Sequence, residues 1–156
     1  MSIWLPHSYS GAPMTIRILL VDDSPNLLMA VRQFLATLPG TEVCGEAHDG
    51  QEGLTLVEQL KPDLVLLDIS MPIMNGLDMA RALQAFPQAP QVVFLSLQEG
   101  AAYVAVAQKL GALALIRKSD LVEGLPPIIQ KLQADRQAEI ALASAASSSH
   151  DDVLRP

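Results

Sequence analysis

Three aspartates, one serine and one lysine stand at or just beyond the ends of apolar runs in this chain, and these side chains together could handle a phosphoryl group. Ile18-Leu19-Leu20-Val21 runs into Asp22-Asp23, and Leu64-Val65-Leu66-Leu67 runs into Asp68. Val92-Val93-Phe94-Leu95 runs into Ser96, and Leu113-Ala114-Leu115-Ile116 is followed two residues later by Lys118. Carboxylates held close together repel, and protonation or a bound cation must relieve that repulsion. Oxygen ligands completed by water suit Mg²⁺. With the ion in place, Asp68 can attack phosphorus as a nucleophile and form an acyl phosphate. Lys118 offers a point charge to the phosphoryl oxygens and Ser96 a short hydrogen bond. Catalysis of this kind is mostly positioning and charge neutralisation.

The fold must bring these distant residues together. Short apolar runs bounded by breakers indicate buried parallel strands, expected at 16–21, 63–67, 91–95 and 112–116. A less apolar strand at 42–47 fits a sheet edge. Between them, helices are expected from Ser24-Pro25 to Pro39-Gly40, from Asp49 to Lys61-Pro62, over 77–85, and over 99–110 before Gly111. Pro126-Pro127 suits a first turn better than a helix interior, so the last helix is expected to start near Leu125 and run to about 143. Strands alternating with helices imply an α/β doubly wound domain with right-handed crossovers. In such a sheet the residues just past the strand ends line one crevice. Domain organisation is then a flexible extension over 1–13, one domain over 14–143 and a disordered Ala/Ser-rich tail over 144–156.

Asp22-Asp23, the run Asp68-Ile69-Ser70-Met71-Pro72-Ile73-Met74-Asn75-Gly76-Leu77, Ser96 and Lys118 together resemble a response-regulator receiver domain of two-component signalling. The match covers about 15–133. Gly111-Ala112 through Lys118-Ser119-Asp120-Leu121 is similar to the branch usually fused to a helix-turn-helix output domain. The resemblance implies a flavodoxin-like sheet in the order 2-1-3-4-5. It also implies Asp68 as acceptor of a phosphoryl group from a histidine kinase or phosphotransfer protein. Asp23, Asp68 and the Ser70 main-chain carbonyl would hold Mg²⁺, with Asp22 helping through water. Ser96 would move towards the phosphoryl group and Lys118 would pair with it. Two residues depart from the family pattern. Leu115 stands where an aromatic ring is usual, which bears on any ring-rotation readout. Leu97, after Ser96, is bulkier than the small residue common there and could shield an acyl phosphate or hinder small phosphodonors.

Composition narrows the alternatives. The chain has 156 residues, half of them hydrophobic but only 4% aromatic, so the core must rest on aliphatic side chains. A net charge of −7 with scattered basic residues argues against a direct grip on nucleic acid. Cys44 is the single cysteine, which excludes an intrachain disulfide and fits a reducing compartment; it is expected to be a small buried residue in a strand. No apolar run approaches the roughly 20 residues of a membrane span, and residues 1–13 lack signal-peptide features. A cytoplasmic location is expected.

Other residues have plainer readings. Met71, Met74 and Met79 suit packing, and His7, His48 and His150 lack partner ligands at usable spacing. Asn75-Gly76 fits a turn, with Gly76 admitting an unusual backbone angle. Tyr103 suits a half-exposed helix position or a partner surface.

Three functions compete on these grounds. The first is a stand-alone receiver that signals by phosphorylation-dependent contacts with a downstream protein target, a homodimer being one form of contact. The second is a receiver-like binding module that works without phosphate. The third, a haloacid-dehalogenase-like phosphohydrolase, would want a second aspartate two residues after its nucleophile, where Asp22 and Asp68 have Ser24 and Ser70.

Overall fold

A computed structural model describes residues 15–97 and 101–154, with side chains described as far as residue 146. The expected extension over 1–13 lies outside these residues.

Strand β1 (Ile16–Val21), β3 (Leu64–Asp68) and β4 (Gln91–Ser96) are apolar on both faces because helices cover both. Strand β2 (Thr41–Ala47) flanks β1 at one edge, and β5 (Ala114–Arg117) closes the other. All pairings are parallel, in the order β2-β1-β3-β4-β5, which is the flavodoxin-like α/β arrangement. Side chains alternate along each strand. Ile16, Ile18, Leu20, Leu64, Leu66, Val93 and Leu95 face helix α1 (Pro25–Leu35) and helix α5 (Leu121–Leu154). Leu19, Val21, Val65, Leu67 and Phe94 face helix α2 (Gly50–Leu60), α3 (Gly76–Leu83) and α4 (Ala101–Lys109).

Local chemistry sets the helix ends. The side chains of Ser24, Asp49 and Asn75 each accept a backbone N–H of the helix that follows, capping α1, α2 and α3. Pro25 sits at the start of α1, where its missing donor is harmless. Gly111 has a φ of 76°, the left-handed conformation that closes α4. In β2 the register against β1 slips beside Cys44, whose half-buried thiol is pushed up in pKa by burial.

Three expectations need correction at the C-terminal side. Strand β5 starts at Ala114 rather than 112, because Leu113 already donates to the Val92 carbonyl as a link. A 3₁₀ turn over Lys118–Asp120 then leads into α5 at Leu121, ahead of Pro126-Pro127. An interior proline costs about 3 kcal/mol or more. Leu121, Leu125 and Ile129 form a buried stripe at helical spacing, however, and each contributes roughly 1.5–3 kcal/mol when covered. The carbonyls that the prolines leave without helical donors belong to Val122 and Glu123, both exposed to water. Solvation of those carbonyls and the burial of Leu121 both favour the earlier start, and the helix runs through the two prolines. Helical backbone also continues to Leu154, through residues expected to form an unstructured tail. Gln133 donates to the Pro39 and Gly40 carbonyls, and Arg136 donates to the Thr15 carbonyl and Asp63. These bonds fasten the middle of α5 to the N-terminal end of the sheet.

Candidate functional site

At the opposite end of the sheet, β1, β3, β4 and the turn after β5 deliver their terminal residues to one cleft. Asp23, Asp68, Ser70, Ser96 and Lys118 line it, with a volume of about 530 Å³. Asp22 lies beneath them at 2% exposure, and Asp68 is 4% exposed. One carboxylate oxygen from each of Asp22, Asp23 and Asp68 falls within 4.8 Å of the others. The Lys118 Nζ lies 2.8 Å from Asp22 Oδ2 and 3.3 Å from Asp68 Oδ1. Every residue expected at the site is thus placed together.

Main-chain donors hold the carboxylates in position. Ser24 N–H donates to Asp22 Oδ1 at 2.8 Å, and Ser70 N–H donates to Asp68 Oδ1 at 3.3 Å. Asp22 Oδ2 is buried, and its close partner is the Lys118 ammonium. Burial raises the Asp68 carboxyl to about 6, the negative Asp22 adds to the rise, and Lys118 opposes it. Burial pulls the Lys118 ammonium down, yet Asp22 and Asp68 together outweigh that and hold it above its usual value. One ammonium therefore serves two acids while Asp23, exposed, faces the opening. A hard-oxygen cluster with spare lone pairs and a strained charge balance fits a small divalent cation.

The loop from Ser70 to Asn75 forms one rim. Met74 N–H donates to the Pro72 carbonyl at 2.7 Å, closing a three-residue turn centred on Ile73. Ile73 has a φ of 69°, which a β-branched residue adopts only under strain, and its side chain is 83% exposed. Ile73→Gly removes the strain and loses little burial. It should raise stability by about 1 kcal/mol in urea unfolding, and a fall in stability would contradict this account.

Gly76 needs a different explanation from the one the sequence suggests. Its φ is not positive; instead a Cβ there would meet the Asp68 carbonyl oxygen at 2.1 Å. Close approach of two backbones demands the glycine. Tyr103 was also unforeseen at the site, yet it lines the cleft beside Leu97. No local motif marks it, since only the packing of α4 turns that helix position towards the strand ends.

Comparison with known proteins agrees with this geometry. The family model described as "Response regulator receiver domain" matches residues 18–130, and the chain belongs to that family. It is 40% identical over 104 residues to a protein-glutamate methylesterase/protein-glutamine glutaminase of Pyrococcus abyssi, covering 66% of this chain and 28% of that protein. It is 36% identical over 128 residues to the nitrate/nitrite response regulator protein NarL of Escherichia coli, covering 82% of this chain and 58% of NarL. Among solved structures, a LuxR-family two-component response regulator from Aurantimonas sp. SI85-9A1 superposes with a TM-score of 0.71 at 28% identity. That match covers 84% of this chain and 99% of the other. The chain thus spans well under two thirds of the length of these two curated relatives. Among the described residues, no helix is long and apolar enough to cross a membrane.

Proposed function

We propose that this chain is a phosphorylation switch in which Asp68 accepts a phosphoryl group from the phosphohistidine of a histidine kinase or phosphotransfer protein. The observation that carries this reading is the sharing of Lys118 between two buried carboxylates at the floor of one cleft. In the reaction an Asp68 oxygen bonds to phosphorus as the phosphorus–nitrogen bond breaks, and the imidazole leaves with its electron pair to be protonated by solvent. With its pKa near 6, Asp68 is ionised at neutral pH and ready to attack. Asp23, Asp68 and the Ser70 main-chain carbonyl would hold Mg²⁺, with Asp22 acting through water. The ion supplies charge neutralisation to the incoming phosphoryl oxygens. Lys118 then transfers its attention from the carboxylate to the phosphoryl group, and the Ser96 hydroxyl donates to it. Output passes through phosphorylation-dependent contact with a protein target in the cytoplasm, a second copy of the chain included.

Incubation with Mg²⁺ and phosphoramidate or acetyl phosphate should place one alkali-labile, hydroxylamine-sensitive adduct on Asp68, and Asp68→Asn should show none. Absence of the adduct from both wild type and a folded Leu97→Ala variant would overturn the reading. Leu115, in place of the usual ring, favours the alternative of a phosphate-independent binding module. That alternative requires unchanged partner affinity in Asp68→Asn.

A further inference from the structure

The cleft has an aromatic ring after all, on a different element from the one the family pattern suggests. Leu115 packs against the core on the α2–α4 side of the sheet. Among the described residues, Tyr103 of α4 is the one aromatic residue lining the cleft, beside Ser96, Leu97 and Lys118, and it is 40% exposed.

Helix α4 is also the least anchored of the short helices. Only Ala107 of its residues is buried, whereas α1 and α2 each bury three and α3 buries four. Few buried contacts make for a low local cost of displacement. Val104, next to Tyr103, lines a separate groove of about 480 Å³ with Ala101, Leu115, Arg117 and Asp120. One helix therefore touches the phosphoacceptor cleft on one side and an open surface groove on the other.

We infer that Tyr103 reads the phosphorylated state: its phenol donates a hydrogen bond to a phosphoryl oxygen on Asp68, and α4 shifts with it. The inference rests on the proposed function, since it needs a phosphoryl group in the cleft. Three donors then surround that group from three elements, namely Lys118, Ser96 and Tyr103. A hydrogen bond to a charged acceptor is strong enough to bias a helix held by one buried residue. The groove beside Val104 changes shape as the helix moves, which turns a buried chemical event into a surface signal.

The test uses the full chain labelled with 3-fluorotyrosine, which carries only Tyr9 and Tyr103 as reporters. Beryllofluoride with Mg²⁺ stands in for the phosphoryl group, and its own bound ¹⁹F resonance reports occupancy. On binding, the Tyr103 resonance should move, as assigned by its loss in Tyr103→Phe. Amide exchange over 101–109 should slow roughly tenfold, the size expected of a charge-assisted bond. Tyr103→Phe keeps the ring and should still bind beryllofluoride, but the slowing over 101–109 should vanish. An unmoved Tyr103 resonance in the occupied protein, or wild-type slowing in Tyr103→Phe, would overturn the inference alone. Failure of beryllofluoride to bind wild type would instead bring down the phosphoacceptor reading, and this inference with it.

Discussion

Asp68→Asn should be more stable than the wild type at pH 8 in metal-free buffer, by up to about 3 kcal/mol. The sign follows from proton linkage. The Asp68 carboxyl is raised from 3.8 to about 6 in the folded protein, chiefly by burial and then by Asp22. Between those values the folded chain keeps a proton that the unfolded chain has already released. Stability therefore falls as pH rises from about 4 to 6, and the full penalty persists above that window. A shift of this size, at about 1.4 kcal/mol per pH unit, sets the limit given. The neutral amide of the variant escapes the penalty and leaves the Lys118–Asp22 pair intact. Urea unfolding at pH 8 and pH 4 should show the difference at the first and its disappearance at the second. Millimolar Mg²⁺ should then stabilise the wild type more than the variant. A variant less stable than wild type at pH 8 without metal would contradict the charge balance described for the site.

Gly76→Ala should cost about 3 kcal/mol and damage the site as well as the fold. The new Cβ would fall 2.1 Å from the Asp68 carbonyl oxygen, 3.0 Å from its carbonyl carbon and 3.1 Å from Ile69 Cα. All three are backbone atoms, so no side chain can swing aside. The two segments are also tied, since Gly76 N–H donates to the Ile69 carbonyl at 2.9 Å. Separating them must move Asp68 itself. Beryllofluoride affinity should fall together with the urea midpoint. Gly111→Ala provides the contrast. Nothing lies within 4 Å of its added Cβ, so only the left-handed backbone is penalised, by about 1–2 kcal/mol, and beryllofluoride affinity should stay unchanged. Equal affinity losses in the two variants would refute the steric argument.

The sites of strand termination were legible because each apolar run ends abruptly on a polar residue. That local signal carries Asp22, Asp23, Asp68, Ser96 and Lys118 with it, and the parallel order of the sheet does the rest. The start of α5 was not legible. Pro126-Pro127 is a strong local signal, and only knowledge of what Leu121 and Leu125 cover shows that packing overrides it. Gly76 illustrates a second limit: a glycine in a turn suggests freedom of φ, whereas the need here is for space against a residue of β3. Tyr103 illustrates a third. Its helix has little amphipathic pattern, so periodicity could not say which way the ring points.

The single buried residue of α4 gives the domain an uneven compliance. The carboxylates rise from β1 and β3, strands with neighbours on both flanks and helices on both faces, so the charged cluster is held where deformation is hardest. The hydroxyl-bearing side of the cleft instead adjoins a helix with almost no keel. A force applied at the rim therefore spends itself on α4 and leaves the carboxylates where they are. The chain can change its outline without disturbing the atoms that do the chemistry.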